Sequence, residues 1–302
     1  MRYAISDTPS AFDQVAVDYD REFTDTALAR TLRAIVWSRL AEHFQPGTRV
    51  LEIGCGTGED AVWLAKRGVH VVATDVSPAM LDVTRQKVER AGVADQVETL
   101  VLDAASPDFA ALRARVRAGD PNRGDAVGEP LTTGAGGAFS NFGALNCVGD
   151  LRPIANALAE WMQPGGRFVL VLINRWCAWE MLWHLVHLQP RVAFRRLRRD
   201  GVDAKVGDGT VHTWYPSIGS IRRTFAPGFK LMRVTGLGVF LPPSYLEPVV
   251  AKRPRLFRLL TWLERAMASA LPLNRVGDHA IIEFECTLFV DRAELGAIGQ
   301  KT

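Results

Sequence analysis

Three glycines fall within the five residues Gly54-Cys55-Gly56-Thr57-Gly58, directly after the apolar run Val50-Leu51-Glu52-Ile53. A backbone without Cβ atoms turns tightly and lets a ligand approach closely. Asp75 ends the next apolar run, 21 residues after Gly54. From there a carboxylate can accept hydrogen bonds from both ribose hydroxyls, so the pair points to a nucleoside-containing ligand. The loop is G-x-G-x-G, not the G-x-G-x-x-G of dinucleotide sites, with Glu52 before it and Glu59 and Asp60 after it. Those carboxylates repel a pyrophosphate and suit a ligand with a cationic end. Cys55, inside the loop, reads as a small filler and not as a nucleophile.

The elements that must hold these groups follow from the hydrophobic pattern. Leu28, Leu32, Ile35, Val36, Leu40 and Phe44 recur three and four apart, which predicts a helix over 26–44 closed by Gln45-Pro46-Gly47. Strands are expected over 49–53, 69–74 and 97–102, with helices over 60–66 and 78–91 between them. Such alternation gives a parallel sheet with right-handed crossovers. From 113 to 137 glycine and proline are frequent and no period survives, so a loop is expected. A strand over 138–142, a helix over 151–162 and a strand over 167–173 complete the regular part. Beyond it the reading gives helices near 178–188, 217–225 and 255–270 and strands near 229–237 and 280–289.

In sequence, order and spacing, VLEIGCGTG, ATDVSPAML and LVLDAA resemble the class I S-adenosylmethionine-dependent methyltransferases of small-molecule type, with a core like that of ubiquinone and menaquinone methyltransferases. The likeness covers roughly residues 10 to 174. It implies an α/β fold: a Rossmann-like, seven-stranded, mostly parallel sheet with helices on both faces and a helical cap after strand five. It also implies S-adenosyl-L-methionine as cofactor. Gly54, Cys55, Gly56 and Gly58, with Glu52, would pack against its methionine part, and Asp75 would hold the ribose. Val76 and Met80 would flank the adenine, Asp103 and Ala104 would bond it, and Ser140 and Asn141 would lie beneath the methyl donor. Phe12-Asp13 and Tyr19-Asp20 match an F-D-x-x-A-x-x-Y-D lead helix whose tyrosine covers the cofactor.

Methyl transfer from a sulfonium is an in-line displacement with an activated reagent, so alignment and exclusion of water dominate and a base is optional. SNFG at 140–143 is not the N/D-P-P-Y/F of enzymes acting on planar amides or base nitrogens, which argues against such acceptors. Trp176, Trp179 and Trp183 share a helical face that covers an apolar acceptor, meets a membrane, or is simply buried. Trp176 and Trp179, with Asn146, Arg175 and Trp214, make the acceptor-binding candidates. His212 and Tyr215 are the candidate catalytic residues. The arginines of 191–199 and the cations of 252–258 form either a patch for anionic lipid or solvated faces. His184 and His187 lack a third ligand nearby, so no metal is expected.

The 302 residues carry a net charge of +3, with 48% hydrophobic and 23% charged residues, as in folded globular proteins. Thirty-six cations against 33 anions leave no excess for a polyanion, so nucleic acid is not expected as a partner. Four scattered cysteines without a C-x-x-C pair fit reduced thiols in the cytoplasm. One unit is expected: a helical lead-in over 1–48, a cofactor core over 49–174, an acceptor cap over 175–228 and 241–275, and closing strands over 229–240 and 276–290. The expected activity is methylation of a small, hydrophobic or aromatic acceptor. The rivals are an enzyme acting on a lipid or quinone at a membrane, a non-catalytic cofactor sensor, and a nicotinamide dehydrogenase.

Overall fold

The computed structural model describes residues 8–118, 135–243, 246–247 and 252–287. Most of the loop expected over 113–137, part of the cap over 241–275 and the end of the last strand at 288–290 therefore lie outside the described residues. The elements run α1 (Thr8–Val15), α2 (Ala27–His43), β1 (Arg49–Ile53), α3 (Glu59–Ala65), β2 (His70–Asp75), α4 (Pro78–Arg90), β3 (Val97–Val101), α5 (Phe109–Ala118), β4 (Ala135–Ser140), α6 (Arg152–Trp161) and β5 (Met162–Ile173). There follow α7 (Ala178–Val186), α8 (Pro190–Ala193), β6 (Val202–Val206), β7 (Gly209–Thr213), α9 (Ile218–Phe225), β8 (Phe229–Leu237), α10 (Pro254–Met267) and β9 (His279–Cys286). Among the described residues, no helix is long and apolar enough to cross a membrane.

Seven strands form one sheet in the order β3-β2-β1-β4-β5-β9-β8, and β6 pairs with β7 in a separate hairpin. The first five are parallel; β9 runs antiparallel to β5 and β8. Successive strand residues point to opposite faces. Leu51, Ile53, Val72, Phe168 and Leu170 accordingly pack with α6 and α9, through Ile154, Leu158, Ile221 and Phe225. Val50, Val71, Ala73, Val169 and Val171 meet Leu28, Leu32, Val36 and Leu40 of α2 and Leu64 of α3 on the other face. Burial on both faces explains why these strands are apolar runs and not alternating ones.

Three helix starts are marked by a hydroxyl cap. The Thr26 side chain accepts from the Ala29 N–H, Ser77 from Met80 and Ser217 from Ser220. Several elements depart from expectation: α5 occupies 109–118, where a loop was expected to begin at 113, and the short α8 and the strand β6 are new. The sheet order reverses between β1 and β4, and an open α/β sheet has its ligand crevice at the carboxyl ends of the strands there.

Candidate functional site

A cavity of about 500 Å³ opens at that switch point. Gly54, Gly56 and Gly58 have φ of +73°, +53° and +77°, a region that favours glycine. The Gly54 and Cys55 N–H groups both donate to the Thr74 carbonyl at 2.8 Å, which ties the loop to β2. The three glycines serve different ends. A Cβ on Gly54 would stand 2.2 Å from the Ala144 Cβ, and one on Gly58 2.5 Å from Thr84 Cγ2, whereas one on Gly56 would meet nothing within 4 Å. Gly54 and Gly58 thus permit packing, and Gly56 leaves room in the cavity it lines. The Cys55 thiol is pushed far above its ordinary pKa by burial, then by Asp75 and Glu52, and stays protonated.

Asp75 closes β2 and accepts from the Gly56 N–H at 2.8 Å and the Ser77 N–H at 2.9 Å. Burial raises its pKa while those donors oppose the rise. Val76, Met80, Asp103 and Ala104 line the same end of the cavity, and Asp103 accepts from the Ala105 N–H at 2.8 Å. At the opposite side Asp60 accepts from Arg33 Nη1 (2.7 Å), Trp37 Nε1 (2.7 Å) and Asn141 Nδ2 (2.9 Å). The Arg33 guanidinium also lies 4.6 Å over the Phe142 ring. Asn141 Oδ1 and Glu52 Oε2 are buried polar atoms without a hydrogen-bond partner. Glu52 sits behind the wall, its pKa pushed well above the usual carboxylate range by burial and by Asp60. Four carboxylates, Glu59, Asp60, Asp75 and Asp103, line the described cavity against one guanidinium, Arg33. This donor set fits a nucleoside with a cationic sulfonium and an amino-acid end, and not a pyrophosphate.

The lead segment is stapled to this wall by its two aspartates. Asp13 on α1 accepts from Ser77 Oγ (2.5 Å) and the Ala79 N–H (3.2 Å) at the start of α4. Asp20 accepts from Thr57 Oγ1 (2.6 Å) and pairs with Lys87 Nζ (2.6 Å). Tyr19 thereby lines the cavity, and burial raises its phenol pKa.

Of the expected cofactor residues, Tyr19, Gly54, Cys55, Gly56, Asp75, Val76, Met80, Asp103, Ala104 and Asn141 line the cavity. Glu52, Gly58 and Ser140 stand behind it; Ser140 Oγ donates to the Ile53 carbonyl at 2.8 Å. The acceptor candidates lie elsewhere. Asn146 is a buried strut, bonded to Trp214 O, Ile173 O and Ile173 N. Arg175 donates to the Leu197 carbonyl, Trp176 is 46% exposed, and Trp179 and Trp214 are absent from the lining. His212 has both ring nitrogens occupied, Nδ1 by Asp203 Oδ1 and Nε2 by Asp200 O. Tyr215 is buried against Arg196, whose guanidinium lies 5.6 Å from its ring. Neither lines the cavity: β7 turns Val211 and Thr213 inward and His212 outward, and Tyr215 lies beyond the end of β7.

The cavity is closed instead by the β6–β7 hairpin, through Ala204, Val206, Val211 and Thr213, facing Leu145, Val148 and Ile173. The hairpin leans on α1: a Cβ on Gly209 would stand 2.7 Å from Ala11 Cβ, and one on Gly207 2.6 Å from Val15 Cγ1. Sequence reasoning missed β6 and Arg33. The hairpin did carry a signal, since Val202, Ala204 and Val206 alternate up to a two-residue Gly207-Asp208 turn. Arg33 carried none, being one of many arginines on a helix.

Comparison with known proteins agrees with this geometry. A model for a methyltransferase domain matches residues 50–116. The chain is 33% identical over 239 residues to a tRNA 5-carboxymethoxyuridine methyltransferase from Escherichia coli K12, covering 76% of this chain and 79% of that one. It is 45% identical over 58 residues to a magnesium-protoporphyrin O-methyltransferase from Rhodobacter capsulatus, of which it spans only 25%. The solved CcbJ methyltransferase from Streptomyces caelestis shares the fold, with a TM-score of 0.56 at 15% identity over 95% of this chain and 100% of that one. The chain belongs to the class I S-adenosylmethionine-dependent methyltransferases. It is an enzyme of that class, with S-adenosylmethionine as its cofactor.

Proposed function

We propose that this methyltransferase acts on a small, predominantly apolar acceptor enclosed beneath the β6–β7 hairpin. The observation that carries the reading is the cavity's second wall, where Ala204, Val206, Val211, Leu145, Val148 and Ile173 present carbon to the space beside the glycine loop. A volume of about 500 Å³ falls in the roughly 300–1,000 Å³ of small-molecule sites.

The bound cofactor supplies an electrophilic methyl group on a positively charged sulfur. Gly56 admits it, and Asp75 is placed to take its ribose. Arg33 and Asn141 are suited to the carboxylate and amino groups of its amino-acid end. Tyr19 and the hairpin exclude water, which leaves alignment as the main source of rate. The Tyr19 phenol and the Cys147 thiol, raised to about 12 by burial and Asp75, both stay protonated at neutral pH, so neither removes the acceptor's proton.

The test is incubation of the protein with a methyl-labelled cofactor and a cell extract, with products divided into small molecules, lipids and RNA. Label in a small organic product, lost in the Asp75→Ala variant, is expected. Label confined to RNA would overturn the reading.

A further inference from the structure

Two helices of the cap are built inside out. α7 (AWEMLWHLV) is strongly apolar, yet its one fully buried residue is Glu180, held by Arg195 Nε at 2.8 Å and Arg196 Nη2 at 2.6 Å. Leu182, Leu185 and Val186 are 62%, 42% and 71% exposed, and Leu188 just beyond is 88% exposed. α10 repeats the pattern. Its one fully buried residue is Glu264, which accepts from the N–H groups of Gly238, Val239, Phe240 and Leu241. Leu259 and Trp262 are 52% and 64% exposed. Isolated exposed leucines need no explanation, but two helices that present them together do.

The helices belong to one region. α7 leaves the end of β5 and α10 precedes β9, with Ile173 opposite His279 in the sheet. The Ala178 N–H donates to the Val276 carbonyl at 2.9 Å, and Asn174 Nδ2 to the Arg275 carbonyl at 2.8 Å. Glu264 ties α10 to residues 238–241 just past β8, where Leu237 pairs with His279, so both helices are anchored at the same end of strands β5, β9 and β8.

Charge identifies the occupant. Between 176 and 199 and between 252 and 275 the acidic residues are Glu180 and Glu264, and both are buried. The exposed charges there are cationic: Arg191, Arg198 and Arg199 beside α7, and Arg255, Arg258 and Arg265 on α10. Arg198 is paired with Asp200, immediately outside the segment. A second copy docking through this face would set arginines against arginines. An anionic lipid surface satisfies both the exposed carbon and the cations.

We propose that α7 and α10 dock the protein peripherally on membranes containing anionic lipid. This stands apart from the nature of the acceptor and fails separately from it. The experiment is sedimentation of the full chain with vesicles of phosphatidylcholine alone or mixed with phosphatidylglycerol. Binding to the mixed vesicles, weakened by salt, is expected. Each of Arg255→Glu and Arg258→Glu should lower partition by roughly fivefold or more. Leu182→Glu/Val186→Glu should abolish partition while leaving S-adenosylmethionine affinity unchanged, which shows that the variant is folded. The proposal is overturned by no binding at low salt, by equal binding to neutral vesicles, or by retained binding in the leucine-valine variant. It is also overturned if light scattering finds a dimer that the same variant dissolves.

Discussion

Replacing Gly56 and Gly58 separately with alanine should divide ligand binding from folding. Both positions have φ above +50°, so either alanine costs about 1 kcal/mol in backbone strain. At Gly58 the new Cβ would also stand 2.5 Å from Thr84 Cγ2 and 2.9 Å from Thr84 Oγ1. Overpacking of that kind adds about 1–3 kcal/mol, for about 2–4 kcal/mol in all. At Gly56 nothing lies within 4 Å, so the stability loss stays near 1 kcal/mol while the methyl group enters the space reserved for the cofactor. Urea unfolding should give the two stability changes at constant m, and calorimetry with S-adenosylhomocysteine the affinities. Gly56→Ala should weaken binding by at least about tenfold, or 1.4 kcal/mol, and Gly58→Ala/Thr84→Ser should regain most of the overlap component. Undiminished affinity in Gly56→Ala, or a stability loss there as large as in Gly58→Ala, would refute the division.

Glu264→Ala leaves four backbone donors without their acceptor and should lower stability by about 3 kcal/mol or more, read by urea unfolding. Burial and the nearby Asp60 raise the Glu52 carboxyl well above its ordinary value of 4.5, so as pH falls the folded protein takes up this proton before the unfolded chain does. Its contribution is therefore fully present below about that pH and is lost as pH rises through the folded value; Glu52→Gln should raise stability at pH 7 and flatten this slope. The half-buried Cys147, its thiol raised to about 12, should react slowly with iodoacetamide at pH 8 and more slowly still with S-adenosylhomocysteine bound. Asp13→Ala removes the staple to Ser77 and Ala79, and hydrogen exchange should speed up in α1 before it does in the sheet.

The parallel core was legible because each buried strand is a short branched run and each helix a spaced one, with caps such as Ser77 marking where the helices begin. The cofactor end was legible for a related reason. A tight turn demands glycine wherever it occurs, and Asp75 must end the strand that follows. The acceptor end is different, because enclosure there depends on which residues of a hairpin face inward. Val211 and Thr213 face the cavity and His212 does not, a difference of one residue in register. The tryptophans misled because aromatic spacing reveals a helical face but not which side of the helix the protein covers. α5 escaped notice because Phe109, Leu112 and Val116 are spread among arginines and alanines at the margin of a glycine-rich stretch.

The contact of α1 with the β6–β7 hairpin joins two halves of the reaction in a single equilibrium. Phe12 and Tyr19 of the lead segment and Val206 and Val211 of the hairpin line one cavity. Ala11 and Val15 press on Gly209 and Gly207 between them. Ordering either partner lowers the entropy that the other must lose, so with the ligands bound as proposed, cofactor and acceptor should bind with positive cooperativity, read as a tighter cofactor affinity in the presence of acceptor. By linkage, the factor by which one tightens the other is the same in both directions.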